Sequence, residues 1–245
     1  MEKTTQVYGI RAIIEAINTN EPLDKVFVQK GLKGDLFKEL ENLARKKGIS
    51  ISYVPVEKLN RLTRNNHQGV VASISPINFH NFEELVEKVI ANKEAPLFLL
   101  LDQLSDVRNF GAIIRTAECT GVDGIIIQKK GAAPVTADTI KTSAGAAFKV
   151  PIAKVNHIKD AVHYLQASGI KIIAATEKTN KTVYDVTFTE GCAIVMGSED
   201  VGISPSIVKA ADYTAKLPLL GEIESLNVSV ACGVFLYEVV RQRQL

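Results

Sequence analysis

The run Leu97-Phe-Leu-Leu-Leu-Asp102 constrains this chain more than any other: five apolar residues in succession that end on an acid. A strand with one wet face alternates apolar and polar side chains. An unbroken run belongs to a strand covered on both faces, as in a parallel sheet flanked by helices. The pattern returns at Gly124-Ile-Ile-Ile-Gln128, Ile170-Lys-Ile-Ile-Ala-Ala175 and Cys192-Ala-Ile-Val-Met-Gly197. Helical spacing fills 109–120, 136–146, 158–168 and 204–211, two further strands are expected at 149–155 and 214–217, and a last helix at 226–241. Strands and helices alternating in this way predict a parallel α/β sheet with helices on both faces.

Residues 1–75 read as a separate, smaller α/β module. A helix is expected over 7–17, then strand 25–29, helix 34–47, strand 50–54, a helical turn at 57–62 and strand 69–74. Pro76 stops that strand, an acidic amphipathic helix spans 82–92, and Ala95-Pro96 precedes the next strand. The expected organisation is therefore a 1–75 domain, a 76–95 linker and a 96–245 domain.

Charge separates the two parts. Residues 1–75 carry 12 Lys/Arg against 8 Asp/Glu, a net of +4, and residues 76–245 carry 17 against 19, a net of −2. A basic small module beside a near-neutral larger one suits an RNA-gripping domain attached to a catalytic one. No run of about 18 apolar residues occurs, so no membrane helix is expected. The opening Met-Glu-Lys-Thr-Thr-Gln has neither a signal-peptide core nor a lipidation motif. Cys119, Cys192 and Cys232 lie far apart in apolar surroundings, without metal-ligand or disulfide spacing. They read as buried thiols in a reducing compartment, and the expected location is the cytoplasm. His67, His80, His157 and His163 share no spacing and no nucleophile, so no metal is expected.

Ligands of open α/β sheets bind beyond the carboxyl ends of the strands. Three polar blocks follow such ends. One is Asn109-Phe-Gly-Ala-Ile-Ile-Arg115-Thr-Ala, after Asp102. The second is Met196-Gly-Ser-Glu-Asp-Val-Gly-Ile-Ser204. The third is Leu217-Pro-Leu-Leu-Gly-Glu-Ile-Glu-Ser-Leu-Asn-Val-Ser-Val-Ala231. Gly197, Gly202 and Gly221 read as places where backbone approaches a ligand, or as simple turns. Arg115, in an apolar helical stretch, reads as a phosphate or oxyanion partner, or as a surface charge, or as a partner for Glu118 three residues on. Glu199, Asn227 and Ser229 read as site residues or as helix caps. Neither G-x-G-x-x-G after a strand nor G-x-x-x-x-G-K-[ST] occurs, which argues against dinucleotide and P-loop chemistry.

These three blocks resemble, in order and spacing, the motifs of the SpoU (TrmH) RNA 2′-O-ribose methyltransferases. Tyr8-Gly-Ile-Arg-Ala and His67-Gln-Gly-Val-Val-Ala resemble the L30e-like substrate-binding domain of that family, and the pair of domains is most similar to the bacterial 23S rRNA guanosine 2′-O-methyltransferases. The resemblance implies a SPOUT-type trefoil knot in the parallel-sheet domain, S-adenosylmethionine as methyl donor, and a homodimer with each site near the subunit interface. It implies that Arg115, Glu199, Asn109, Ser225 and Asn227 serve catalysis and substrate. Cofactor contacts are expected from Ala175, Thr176, Gly197, Gly202, Leu217, Leu219, Gly221, Leu226 and Ser229. RNA is expected on Arg61, Arg64, Asn65, Asn66 and His67, with the Arg45, Lys46, Lys47 cluster as a further grip. Asp200 stands where many members have Gly, which puts a side chain at the pocket mouth. Two other readings share this scaffold: a tRNA 2′-O-methyltransferase, and a non-catalytic RNA-binding or ribosome-assembly protein.

Overall fold

A computed structural model describes residues 6–244. Residues 1–5 and 245, which the expected domains include, lie outside the described residues. The chain forms two compact units, one ending at Asn78 and one starting at Phe79.

The first unit runs β1 (Gln6–Tyr8), α1 (Ile10–Asn18), β2 (Leu23–Gln29), α2 (Asp35–Lys46), β3 (Ile51–Val54), α3 (Val56–Leu62) and β4 (Val70–Ile74). Its sheet has the order β1-β4-β2-β3, with β2 and β3 parallel and the other pairs antiparallel. Alternation along β2 and β4 puts Val26, Val28, Val70 and Ala72 under Ile13, Ile17, Leu40 and Ala44 of α1 and α2. Val54 and Val71 face the other way, onto Leu59 of α3. Strand β1 overlaps the start of the expected helix 7–17, at Val7 and Tyr8. Three residues are too few to display a period, and only pairing with β4 makes them a strand.

The second unit runs α4 (Phe82–Asn92), β5 (Leu97–Leu101), α5 (Val107–Cys119), β6 (Gly124–Gln128), α6 (Ala137–Thr142), β7 (Ile152–Val155), α7 (Ile158–Ala167), β8 (Lys171–Ala175), β9 (Cys192–Met196), α8 (Pro205–Ala210), β10 (Tyr213–Ala215) and α9 (Val228–Gln244). The sheet order is β10-β8-β9-β5-β6-β7, parallel throughout. All five residues of β5 are buried. Phe98, Leu100, Ile126, Ile172 and Val195 pack with Val86, Val162 and Ile207 of α4, α7 and α8 on one face. Their alternates Leu99, Ile125, Ile173 and Ile194 fill the opposite face. Helix α4, started by an Asn81 side chain that accepts from Glu84 N, packs into this core through Phe82, Leu85 and Val86.

Two expected boundaries move. The helix expected over 136–146 stops at Thr142, because Ala144 and Gly145 both take positive φ, 50° and 83°. The strand expected at 149–155 begins only at Ile152, after Pro151. Cys192 and Cys232 are buried as expected, whereas Cys119 is exposed: it is the last residue of α5 and falls on that helix's outer face. Burial pushes the Cys192 thiol up to about 11 and the Cys232 thiol up to about 12, so neither supplies a thiolate nucleophile near neutral pH.

Candidate active site

At the carboxyl ends of β8, β9 and β10 lies a cavity of about 670 Å³, within the range of small-molecule sites. Its walls come from three turns: Ala175–Lys178 after β8, Met196–Gly202 after β9, and the segment after β10 that leads to α9. Leu217 to Leu226 make no hydrogen bond among the described residues. Of this largely exposed segment Leu217, Leu219, Glu224, Ser225 and Leu226 line the cavity, where their backbone groups can meet a ligand with polar groups of its own.

The turn after β9 is shaped by close backbone approach. A Cβ on Gly197 would sit 2.1 Å from Gly202 C and 2.3 Å from Ile203 N, so only glycine fits. Gly202, at φ 73°, closes the turn by donating its N–H to Ser198 O at 2.9 Å. Glu199 and Asp200 ride at the tip, both exposed.

The returning limb is tied to the end of β5. Asp102 is wholly buried, and its Oδ2 accepts from Ser204 N at 2.7 Å. Gln128 Nε2 donates to Oδ1 at 3.3 Å, and Gln103 Nε2 donates to Ser204 Oγ at 3.1 Å. The apolar run that ends in an acid is the sequence signal for this anchor: Asp102 marks more than the end of a strand.

Glu199 is caged from two helices. Its Oε1 accepts from Asn109 Nδ2 at 2.9 Å, from Asn227 Nδ2 at 2.7 Å and from Val228 N at 3.4 Å. Asn109 sits in the first turn of α5, where its N–H meets the Asp106 carboxylate at 2.7 Å, and its Oδ1 accepts from Asn227 Nδ2 at 3.0 Å. Asn227 Oδ1 meanwhile receives Ser229 N at 2.9 Å, Ser229 Oγ at 2.5 Å and Val230 N at 3.4 Å. Asn227 therefore caps α9 and fixes Glu199 at once, so its capping and site readings are not alternatives. One carboxylate oxygen is saturated by these donors, while no hydrogen bond among the described residues uses Oε2, which stays free to accept a proton or a hydroxyl hydrogen.

Most of the expected cofactor and substrate residues converge. Ala175, Thr176, Gly197, Gly202, Leu217, Leu219, Leu226, Glu199, Ser225 and Asn227 all line the cavity, as does Asp200. Asn109 joins through its bonds to Glu199 and Asn227. Ser229 instead turns its hydroxyl to Asn227, and Gly221 has open space around it rather than a wall to approach.

Arg115 is exposed on α5 and does not line the cavity. It lies six residues beyond Asn109, a rotation of about 120° and a rise of about 9 Å, so the two cannot share one helix face. Its expected alternative partner, Glu118, is taken by Lys149 at 3.1 Å. Arg61, Arg64, Asn65, Asn66 and His67 belong to the first unit, on α3 and the turn that follows it. Among the described residues no cluster of His, Cys, Asp or Glu is arranged to hold a metal, and no helix is long and apolar enough to cross a membrane.

Comparison with known proteins finds two family models that match different parts of the chain. Residues 96–237 match the model of the SpoU rRNA Methylase family, and residues 6–80 match that for RNA 2'-O ribose methyltransferase substrate binding. A Staphylococcus aureus protein named as a TrmH family tRNA/rRNA methyltransferase is 36% identical over 240 residues, covering 98% of this chain and 96% of its own. A Bacillus subtilis relative so named is 33% identical over 237 residues, with 97% and 95% covered. Among solved structures, the SpoU methyltransferase AviRb of Streptomyces viridochromogenes in complex with AdoMet is 26% identical, with a TM-score of 0.61, covering 98% of this chain and 90% of that one. A TrmH/SpoU tRNA modifying enzyme of A. aeolicus is 30% identical, with a TM-score of 0.56, covering 66% of this chain and 84% of its own.

Proposed function

This chain belongs to the SpoU family of RNA methylases, and from that premise we propose that it moves a methyl group from S-adenosylmethionine to the 2′-hydroxyl of a ribose in RNA, with a guanosine of 23S rRNA as the target. The observation that carries the reading is the caged Glu199 beside the cavity of about 670 Å³.

The donor fits this cavity in size and in the supply of unpaired backbone groups from Leu217 to Leu226. Ala175, Thr176, Gly197, Leu217 and Leu226 would hold it, chiefly through the main chain. When bound, S-adenosylmethionine supplies a sulfonium methyl that is already a good electrophile. The chain must then present the ribose oxygen and deal with its proton. Glu199 Oε2 accepts the hydroxyl hydrogen, while Asn109 and Asn227 stop the carboxylate from rotating away. Orientation of this kind supplies several kcal/mol, and proton removal roughly 10²–10⁴-fold.

Arg115 is assigned a different task. A guanidinium stays protonated in proteins, so it does not serve as a base. It holds an RNA phosphate and stabilises negative charge growing on the ribose oxygen. Its exposed place on α5 fits service in a homodimer. Helix α9 presents Val230, Val234 and Tyr237 to solvent at i, i+4 and i+7, 53%, 38% and 55% exposed. A Cβ on Gly233 would lie 3.7 Å from Thr116 Cγ2, so α5, which carries Arg115, packs on the helix that bears this apolar stripe. A second copy covering the stripe would bring Arg115 beside the joint. Within each copy, the segment leading into α9 is expected to thread through an earlier loop as the trefoil knot.

The test is methyl transfer from labelled S-adenosylmethionine to rRNA and tRNA taken from cells lacking this protein, with calorimetric titration of the donor alone. The expected result is donor binding and a 2′-O-methylguanosine in 23S rRNA. Label in tRNA alone would move the target, and absence of donor binding would leave only the non-catalytic RNA-binding reading. Arg115→Lys should lower turnover heavily, since the bidentate fork is lost; near-normal turnover refutes the role.

A further inference from the structure

The small unit has two ends, and its basic residues divide between them. At one end β2 and β3 finish, β1 finishes and β4 starts. Lys30 N donates to Val54 O at 2.9 Å, Gln29 N to Gly69 O at 2.8 Å, and Gly9 N to Val70 O at 3.1 Å, so the turns from all four strands meet there. Arg11, Lys30, Lys33 and Arg64 stand on these turns or one residue pair inside α1, all exposed. None of their four side chains makes an ion pair or hydrogen bond among the described residues.

Four other cations of the unit are engaged. Lys38 pairs with Asp35 at 3.3 Å, Lys47 donates to Asn20 at 2.9 Å, and Lys25 and Lys58 lie 5.5 and 5.6 Å from the Phe27 ring centre. The cluster Arg45, Lys46, Lys47 lies at the opposite end, where α2 stops and β3 starts. The seven residues of β2 separate the two ends by roughly 23 Å. The two basic groups therefore cannot grip the same short stretch of a polyanion.

The turn that carries Arg64 is also set before any ligand arrives. His67 Nδ1 accepts from Gly69 N at 3.0 Å, and its Nε2 lies 2.9 Å from Asn60 Oδ1. Both ring nitrogens are spent within the unit, one on the turn and one on α3. His67 thus shapes this turn, and the contact with RNA expected of it passes to its cationic neighbours.

Resting on the reading that the chain acts on RNA, we propose that RNA binds across the Gly9–Lys30–Arg64 end of the small unit. Its phosphates lie against Arg11, Lys30, Lys33 and Arg64, and the Arg45–Lys47 end takes no part. Four exposed cationic side chains without partners among the described residues release counterions from a nucleic acid at no cost in internal ion pairs. This extends the expected RNA surface to Arg11, Lys30 and Lys33, and removes the helix-end cluster from it.

The experiment compares two full-length variants. One carries Arg11→Gln, Lys30→Gln, Lys33→Gln and Arg64→Gln; the other carries Arg45→Gln, Lys46→Gln and Lys47→Gln. Binding to a fluorescent 23S rRNA stem-loop fragment is measured from 0.05 to 0.5 M salt, with thermal melting to verify folding and calorimetry to verify donor binding. The first variant should lose about 100-fold in affinity at 0.1 M salt, and its log K against log salt should flatten by about 3, at ~0.7 per phosphate contact. The second should keep the wild-type slope. Equal losses in both variants, a loss confined to the second, or no loss in either overturns the proposal. If wild type binds donor and RNA while either of the last two results is found, only the placement fails. If wild type binds neither, the methyltransferase reading fails with it.

Discussion

Gly197→Ala tests the geometry of the site most directly. A methyl group there would meet Gly202 C at 2.1 Å, Gly202 O at 2.4 Å and Ile203 N at 2.3 Å, all backbone atoms that no rotamer change can remove. Ordinary contact starts at 3.4 Å, so the opposing strand of the turn must retreat by about 1.3 Å. That strand is held at Ser204 by the buried Asp102, so movement concentrates at the tip, where Glu199 leaves its Asn109 and Asn227 donors. Overpacking of this kind costs about 1–3 kcal/mol. For a chain of this size that lowers the melting temperature by roughly 2–12 °C. A misplacement of about 1 Å costs on the order of 100-fold in rate. The assay pairs single-turnover methyl transfer with calorimetric donor titration and a thermal melt. The expected outcome is a large fall in rate with weakened donor binding and a folded protein. Wild-type rate and affinity in a variant that melts normally would refute the argument, because the tip would then tolerate displacement that the cage cannot.

Three further outcomes are expected. Asn227→Asp keeps an oxygen to cap α9 but replaces the amide that donates to Glu199 at 2.7 Å with a like charge. Turnover should fall roughly 100-fold with melting nearly unchanged, and a large loss of stability with intact turnover would reverse the assignment. Arg243→Ala strips donors from Phe188 O at 2.9 Å, Ala95 O at 2.8 Å and Glu190 O at 2.7 Å, which tie α9 to the starts of β5 and β9. The loss should be about 2–4 kcal/mol in urea unfolding, and a change below about 0.5 kcal/mol would show that the carbonyls find water instead. Cys192 and Cys232 hold their protons to about 11 and about 12 when folded, against 9.0 as the ordinary value. The unfolded chain therefore releases protons first, so stability is full below pH ~9 and falls above it, by up to about 1.4 kcal/mol per pH unit for each thiol. Cys232→Ala should flatten that alkaline fall, and parallel curves would exclude the thiol as its source.

The sheet was legible because a strand buried on both faces has no alternative but an apolar run, and four such runs stood in the sequence. The turns of the site were legible for a related reason: they follow strand ends, and two of the glycines and the polar residues there are forced by close backbone and by helix starts. What a string of residues does not carry is direction around a helix relative to distant elements. Asn109 and Arg115 sit in one block of sequence, and only the packing of α5 on α9 sends one to the Glu199 cage and the other to solvent. The same gap concealed β1, which exists through its partner β4, and the exposure of Cys119 at the end of an apolar helix.

Asp102 shows how the two kinds of information meet. A buried carboxylate is costly unless donors satisfy it, and here the donors come from Ser204, 102 positions away in the chain, and from Gln128 on the neighbouring strand. The acid thus exists to receive a turn that carries Glu199, and Glu199 in turn needs amides from two helices that meet only when α9 lies on α5. Each support is satisfied by a segment distant in sequence, so none of the three can be placed correctly unless the others are. A site assembled in this way is either nearly complete or absent. The position of one carboxylate therefore reports on the folding of the whole unit, as no single motif could.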